Sequence, residues 1–255
     1  MIPVKKQRFF ESGEFSKLAL LEAGHFWFEE RNRLLAWCIK RYFSNLGSFC
    51  EVGSGTGFVA LYIRNQFPGI RLACAEYFTE GIQIARQRLP QVQFVRADAR
   101  YLPFRNGFDL IGAFDVIEHI EEDELVLSEF HQALRAHGGL ILTVPQHRFL
   151  WSITDERAHH KRRYERKDLV GKVRRAGFRV VRCTSFITTL LPCMIASRLV
   201  GRERSSEESA SREFQLSATI NGIFRACLTC ERFLIRAGIS LPCGGSLLVV
   251  AVKPE

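Results

Sequence analysis

Two rhythms alternate along the chain: short apolar runs of strand length, and longer stretches in which apolar positions recur every three or four residues. The pattern predicts a helix over 14–46, with Phe26, Phe28, Leu34, Leu35, Cys38 and Ile39 on its apolar side. A strand over 47–52 follows and runs into a glycine-rich turn. Helices are then predicted over 58–67, 79–89 and 123–136, stopped by Pro68-Gly69, Pro90 and His137-Gly138-Gly139. Strands are predicted between them over 70–75, 92–97, 108–114 and 140–144. This alternation is that of an α/β fold with a doubly wound, mostly parallel sheet.

Beyond residue 150 the rhythm loosens. A helix over 167–176 and a strand over 178–183 precede a last strand over 246–252. The gap holds two amphipathic segments. Ile187, Leu190, Leu191, Met194, Ile195 and Leu199 share one face, and Leu216, Ile220, Ile223, Phe224, Cys227, Leu228, Leu234 and Ile235 share another. The polar stretch GRERSSEESASRE, 201–213, separates them and reads as a mobile linker. The expected organisation is an N-terminal helical segment over 1–46 and a ligand-binding core over 47–185. A helical insert over 186–240 follows, and 241–255 returns to the core as its last strand.

The most informative local stretch is FCEVGSGTGF, 49–58. Its loop, Gly53-Ser54-Gly55-Thr56-Gly57, ends in Phe58 where the dinucleotide fingerprint would place a third spaced glycine. No lysine follows, so the phosphate-cradling P-loop is also excluded. Glu51, at the mouth of the loop, would repel a pyrophosphate. It would attract a ligand carrying an ammonium and a sulfonium, an interaction worth about a few kcal/mol in a partly buried site. S-adenosylmethionine is such a ligand. Glu76, Asp98 and Asp115 each stand just past a predicted strand end, where sheets of this type bind ligands. Glu76 is placed to accept from the ribose hydroxyls, and Asp98, with Ala99, to meet the adenine amino group.

Composition adds a net charge of +9, which favours anionic partners: nucleic acid, an acidic membrane surface or a phosphorylated substrate. The eight cysteines do not form a zinc-type set; Cys227 and Cys230 make a lone CxxC inside a helical pattern, so no metal is expected. The start, MIPVKKQRFF, has no apolar signal-like run. A cytoplasmic location is therefore expected.

EVGSGTG, Glu76, ADARYLPF, FDLIGAFDVIEHI and LRAHGGLILTVP, in that order, resemble the class I S-adenosylmethionine-dependent methyltransferases over about residues 49–183. The resemblance implies a seven-stranded Rossmann-like sheet whose last strand is antiparallel. It also implies cofactor contacts at Glu51, Gly53, Gly55, Gly57, Glu76, Asp98, Ala99 and Asp115, to which Ser54 and Tyr77 are added as neighbours. VPQHRFLWSITDERAHHKRRY, with HFWF at 25–28, is similar to a type 11/12-like subgroup associated with cell-envelope glycans and lipids.

Methyl transfer from a sulfonium is an in-line displacement, and a base is needed only where the acceptor holds its proton at neutral pH. His119, in DVIEH, and His159, His160 and Tyr164, in TDERAHHKRRYERKDL, are the candidate catalytic groups. Arg162 and Arg163 are the candidate substrate clamps. The insert is too short in apolar run to span a bilayer, and it suits a lid or a surface-lying segment with Arg225, Arg232 and Arg236 outward. The expected acceptor is a small or lipid-linked, anionic molecule, and an anionic membrane surface at the inner face is a candidate partner. RNA or protein acceptors are the alternative suggested by charge, although no nucleic-acid module is attached. A non-catalytic cofactor-binding or scaffold role is the other alternative.

Overall fold

A computed structural model describes residues 13–201 and 216–255. Seven strands form one sheet: β1 Ser48–Val52, β2 Arg71–Glu76, β3 Gln93–Arg96, β4 Phe108–Phe114, β5 Leu134–Pro145, β6 Arg179–Phe186 and β7 Ser246–Val252. Their order is β3-β2-β1-β4-β5-β7-β6, with β7 antiparallel to both its neighbours and the other pairs parallel. The strand order reverses between β1 and β4, and in sheets of this kind the crevice that takes ligands lies beyond the carboxyl ends of the strands at such a switch point.

Helices cover both faces, which is why the central strands are apolar on both sides. All five residues of β1 are buried, and neighbours along it point to opposite layers. Cys50 and Val52 pack with α5 (Asp123–Ala133) and α7 (Arg166–Arg175). Phe49 packs instead with α2 (Phe26–Tyr42), α3 (Phe58–Gln66) and the insert. Each large side chain buried in this way contributes about 1.5–3 kcal/mol.

The predicted 14–46 helix is two helices, α1 Glu14–Glu22 and α2, broken at Ala23-Gly24-His25. Gly24 takes a left-handed φ of 81°, and the His25 ring nitrogen accepts from the Trp27 N–H to cap α2. Helix α5 stops at Ala133 rather than residue 136. Leu134 already pairs with Phe108, and the register shifts before Gly139 pairs with Leu110. Burial of Leu134 against the sheet decides this over local helix propensity. The other α-helices among the described residues are α4 Thr79–Arg88, α6 Ile153–Arg157, α8 Leu191–Gly201 and α9 Ala218–Arg236.

Helix α9 lies along α2. Phe224 meets Phe26 edge-on at 5.3 Å, and Asn221 accepts from the Phe26 N–H at 2.9 Å. Arg225 pairs with Glu29 at 3.3 Å and Arg232 with Glu30 at 2.9 Å. Two of the three arginines expected to face outward are therefore spent on packing, and Arg236 alone of them stays exposed. Leu228 and Ile235 are buried, whereas Ile220, Ile223 and Leu234 stand in solvent. Apart from Gly201, the predicted linker lies outside the described residues. Among those described, no helix is long and apolar enough to cross a membrane.

Candidate active site

The glycine turn joins β1 to α3, and Gly53, Gly55 and Gly57 all have left-handed φ, at 73°, 51° and 76°. Two of these positions differ in kind. A side chain on Gly53 would collide with Val116, so this glycine serves packing. At Gly55 an added Cβ would meet only Phe15, at 3.7 Å, so the side where a Cβ would stand is open for a ligand to approach. Helix α1 fastens the turn from outside. Glu22 accepts from the Thr56 hydroxyl at 2.6 Å and from Arg88 at 2.7 Å.

Glu51 is 2% exposed, and its Oε2 has no hydrogen-bond partner. Burial pushes its carboxyl up to about 8, against the pull of Arg31. Arg31 itself reaches from α2 to Asp115 Oδ2, at 2.6 Å, and its guanidinium lies 4.4 Å from the centre of the Trp27 ring. Asp115 holds a left-handed φ of 57°, unusual for a non-glycine residue, and its carboxylate also accepts from the Thr143 hydroxyl at 3.3 Å. One cation is thereby set among the acids of the crevice. Sequence reasoning missed Arg31; its signal was a charge inside the aromatic string HFWFEER.

Glu76 is brought to the same turn. Its carboxylate accepts from the Gly55 N–H at 2.7 Å and from the Phe78 N–H at 2.9 Å. Burial raises its pKa, and those two N–H groups restrain the rise. Tyr77 is half-buried beside it, Ala99 and Ser54 are buried, and Asp98 lies at the end of the row. Asp98 is already engaged by Arg100, whose guanidinium stands 2.7 Å away. Burial works against ionisation of Asp98, but the Arg100 contacts win and hold its pKa below the ordinary value.

The histidine side divides sharply. Tyr164 is wholly buried and donates to Asp123 at 2.6 Å; burial, then Asp123, raises its pKa. It is a core residue, contrary to the catalytic role the sequence suggests. Arg163 is 7% exposed and grips Asp155 with two nitrogens, at 2.8 and 2.9 Å. Arg162 pairs with Asp123 at 3.0 Å. The two expected substrate clamps are thus committed within the chain, because the loop folds back onto α5 and α6. His159, at a left-handed φ of 53°, is half-buried in that loop.

His119 and His160 do come together, edge to face at 4.6 Å. Nδ1 of His160 lies 2.8 Å from Asp155. Burial, helped by His160, drives the His119 pKa down to about 3. Burial opposes ionisation of Asp155, but bonds from His160 and Arg163 prevail and hold it at about 2. Glu118 is 0% exposed, and neither carboxylate oxygen has a partner outside its own residue.

Residues 50–142 match the family model described as a methyltransferase domain. A demethylmenaquinone methyltransferase of Thermus thermophilus is 29% identical over 97 residues, 36% of this chain and 44% of that one. The chain thus aligns with less than half the length of the curated relatives it matches. Among solved structures, the Haemonchus contortus phosphoethanolamine N-methyltransferase 2 in complex with S-adenosyl-L-methionine has a TM-score of 0.56 at 19% identity. It covers 88% of this chain and 53% of that one. The [4+2]-cyclase SpnF has a TM-score of 0.58 at 20% identity, covering 88% and 81%.

Proposed function

From the premise that residues 50–142 are a methyltransferase domain on a class I methyltransferase fold, we propose that the protein transfers a methyl group from S-adenosylmethionine to a small or lipid-linked acceptor. The carrying observation is Glu51: a buried carboxylate with an unpartnered oxygen, beside a bare left-handed turn. Such a group calls for a cation with hydrogens to donate, and the ammonium of this cofactor fits it.

When bound, S-adenosylmethionine supplies a methyl group on a sulfonium, a very good leaving group. The chain's own residues bind and orient. Glu51 would hold the ammonium and Arg31 the carboxylate of the methionine end. Glu76 holds the turn through two N–H groups and keeps lone pairs for the ribose, since a carboxylate has about four acceptor sites. Asp98 spends most of its own on Arg100, leaving one for adenine. His119 lies against the Asp115 backbone, with the His160 ring packed on it. The names of the relatives, a demethylmenaquinone and a phosphoethanolamine methyltransferase, support a small acceptor. The exposed Ile223 and Phe233 of α9 suit a lipid surface that would present one.

The cyclase among the structural neighbours makes turnover the necessary test. Calorimetry should show S-adenosylhomocysteine binding. Incubation with methyl-tritiated S-adenosylmethionine should label a small-molecule or lipid fraction of a cell extract. Label in RNA or protein would overturn the acceptor class, and binding with no turnover on any fraction would overturn catalysis.

A further inference from the structure

We propose that Glu118, His119 and His160 bind a first-row divalent cation of the zinc or manganese kind beside the crevice. Each offers one ligand atom, and the three atoms lie within 4.8 Å of one another. Atoms bound to one zinc ion at about 2.1 Å stand at most about 4.2 Å apart. In a tetrahedral site the separation is about 3.4 Å, so the three would have to draw in by up to about 1.4 Å, within reach of side-chain rotation.

Glu118 is the independent pointer. A fully buried carboxylate without a donor outside its own residue is costly unless something positive meets it. Its neighbours do not supply that charge in full. Asp115 and Asp155 are near it, and each already holds an arginine, Arg31 and Arg163 respectively. Three carboxylates therefore face two guanidinium groups, which leaves one negative charge for a cation to meet.

The imidazoles are set as ligands are set. The Nδ1–H of His160 is directed at Asp155, which leaves the lone pair on Nε2. A carboxylate behind a ligating histidine is the usual orienting partner. The His119 ring lies against the backbone oxygens of Ala158 and Asp115. A neutral imidazole has one N–H, so its second nitrogen keeps a lone pair whichever oxygen takes that hydrogen. The backbone binds the two halves together, since the Lys161 N–H donates to the Glu118 carbonyl at 2.7 Å. Two imidazoles and one carboxylate suit zinc, manganese or iron(II) far better than magnesium or calcium, which prefer oxygen throughout.

Three protein ligands leave coordination positions open. If the methyl-transfer reading holds, an acceptor hydroxyl takes one of them. It loses its proton to water on binding the ion. Its oxygen then forms the new O–CH3 bond as the S–CH3 bond breaks, and the electron pair of that bond stays on sulfur.

Cobalt(II) titrated into the metal-stripped full-length protein tests the site without any turnover. One equivalent should bind, with visible d–d bands and no thiolate-to-cobalt charge transfer in the near ultraviolet. The eight free cysteines are the competing ligands, and thiolate bands would overturn the assignment. Glu118→Gln and His160→Ala should each weaken cobalt binding about tenfold or more. Equal affinity in wild type and both variants would also overturn it. Should Glu118→Gln fail to fold, His160→Ala decides alone. Calorimetry with S-adenosylhomocysteine separates the two readings: cobalt bound at this site with no S-adenosylhomocysteine binding sinks the cofactor reading and leaves the metal site standing.

Discussion

Arg31 Nη1 and Asp115 Oδ2 stand 2.6 Å apart, although 84 positions separate them in the chain. The pair ties α2 to the end of β4 and places a cation at the crevice. Removing it with Arg31→Ala should weaken S-adenosylhomocysteine binding by about 1.5–3 kcal/mol, the usual worth of a charged hydrogen bond. Titration calorimetry measures this, and an unchanged affinity would take Arg31 out of the site.

Glu51 predicts a pH dependence. Burial holds its folded carboxyl up at about 8, above the ordinary 4.5. As pH rises through that window the unfolded chain loses this proton first, so stability falls across it and levels off above. Glu51→Gln should flatten that part of the urea-denaturation profile. At about pH 7 the bound ammonium should also drive the proton off. Calorimetry in buffers of different ionisation heat should therefore show proton release on S-adenosylhomocysteine binding, and none in the variant.

The glycines should separate. Gly55→Ala should leave a folded protein, destabilised only by its left-handed φ, that has lost most of its cofactor affinity, because there is room for the methyl but the ligand needs it. Gly53→Ala should lower the melting temperature further, because Val116 also occupies the space. Equal thermal stability of the two variants would contradict the distinction.

Tyr164→Phe should cost about 0.5–1.5 kcal/mol of stability, the net worth of one internal hydrogen bond. Cofactor affinity should not move. Asp123 keeps Lys172 at 2.6 Å and Arg162 at 3.0 Å, so the loss stays local. A large fall in affinity would return Tyr164 to the site.

With Arg225 and Arg232 engaged by α2, contact of α9 with a lipid surface rests on its exposed apolar side chains and Arg236. Sedimentation with anionic liposomes at low salt should be abolished by Phe233→Glu. Sedimentation equal to wild type would remove α9 from that surface.

The local arguments of the sequence reached the sheet and its turn. Strands β1, β2 and β4 and the glycine loop between β1 and α3 were legible because apolar runs and left-handed turns depend on neighbours in the chain. The same local arguments placed Glu51, Glu76 and Asp115 at strand ends. They overran α5, whose end is set by Leu134 entering the sheet, and they merged α1 with α2 across Gly24.

Sequence alone therefore determined the class of fold and the glycine turn at the carboxyl end of β1, since backbone propensity and spacing carry both. Only the tertiary structure decided which charges meet. It turned Arg162, Arg163 and Tyr164 inward, set Arg31 against Asp115, and stripped Glu118 of donors beside His119 and His160. A residue pattern shows which face of a segment is apolar. The partner of a charged side chain depends on how distant segments dock, and no local period records that.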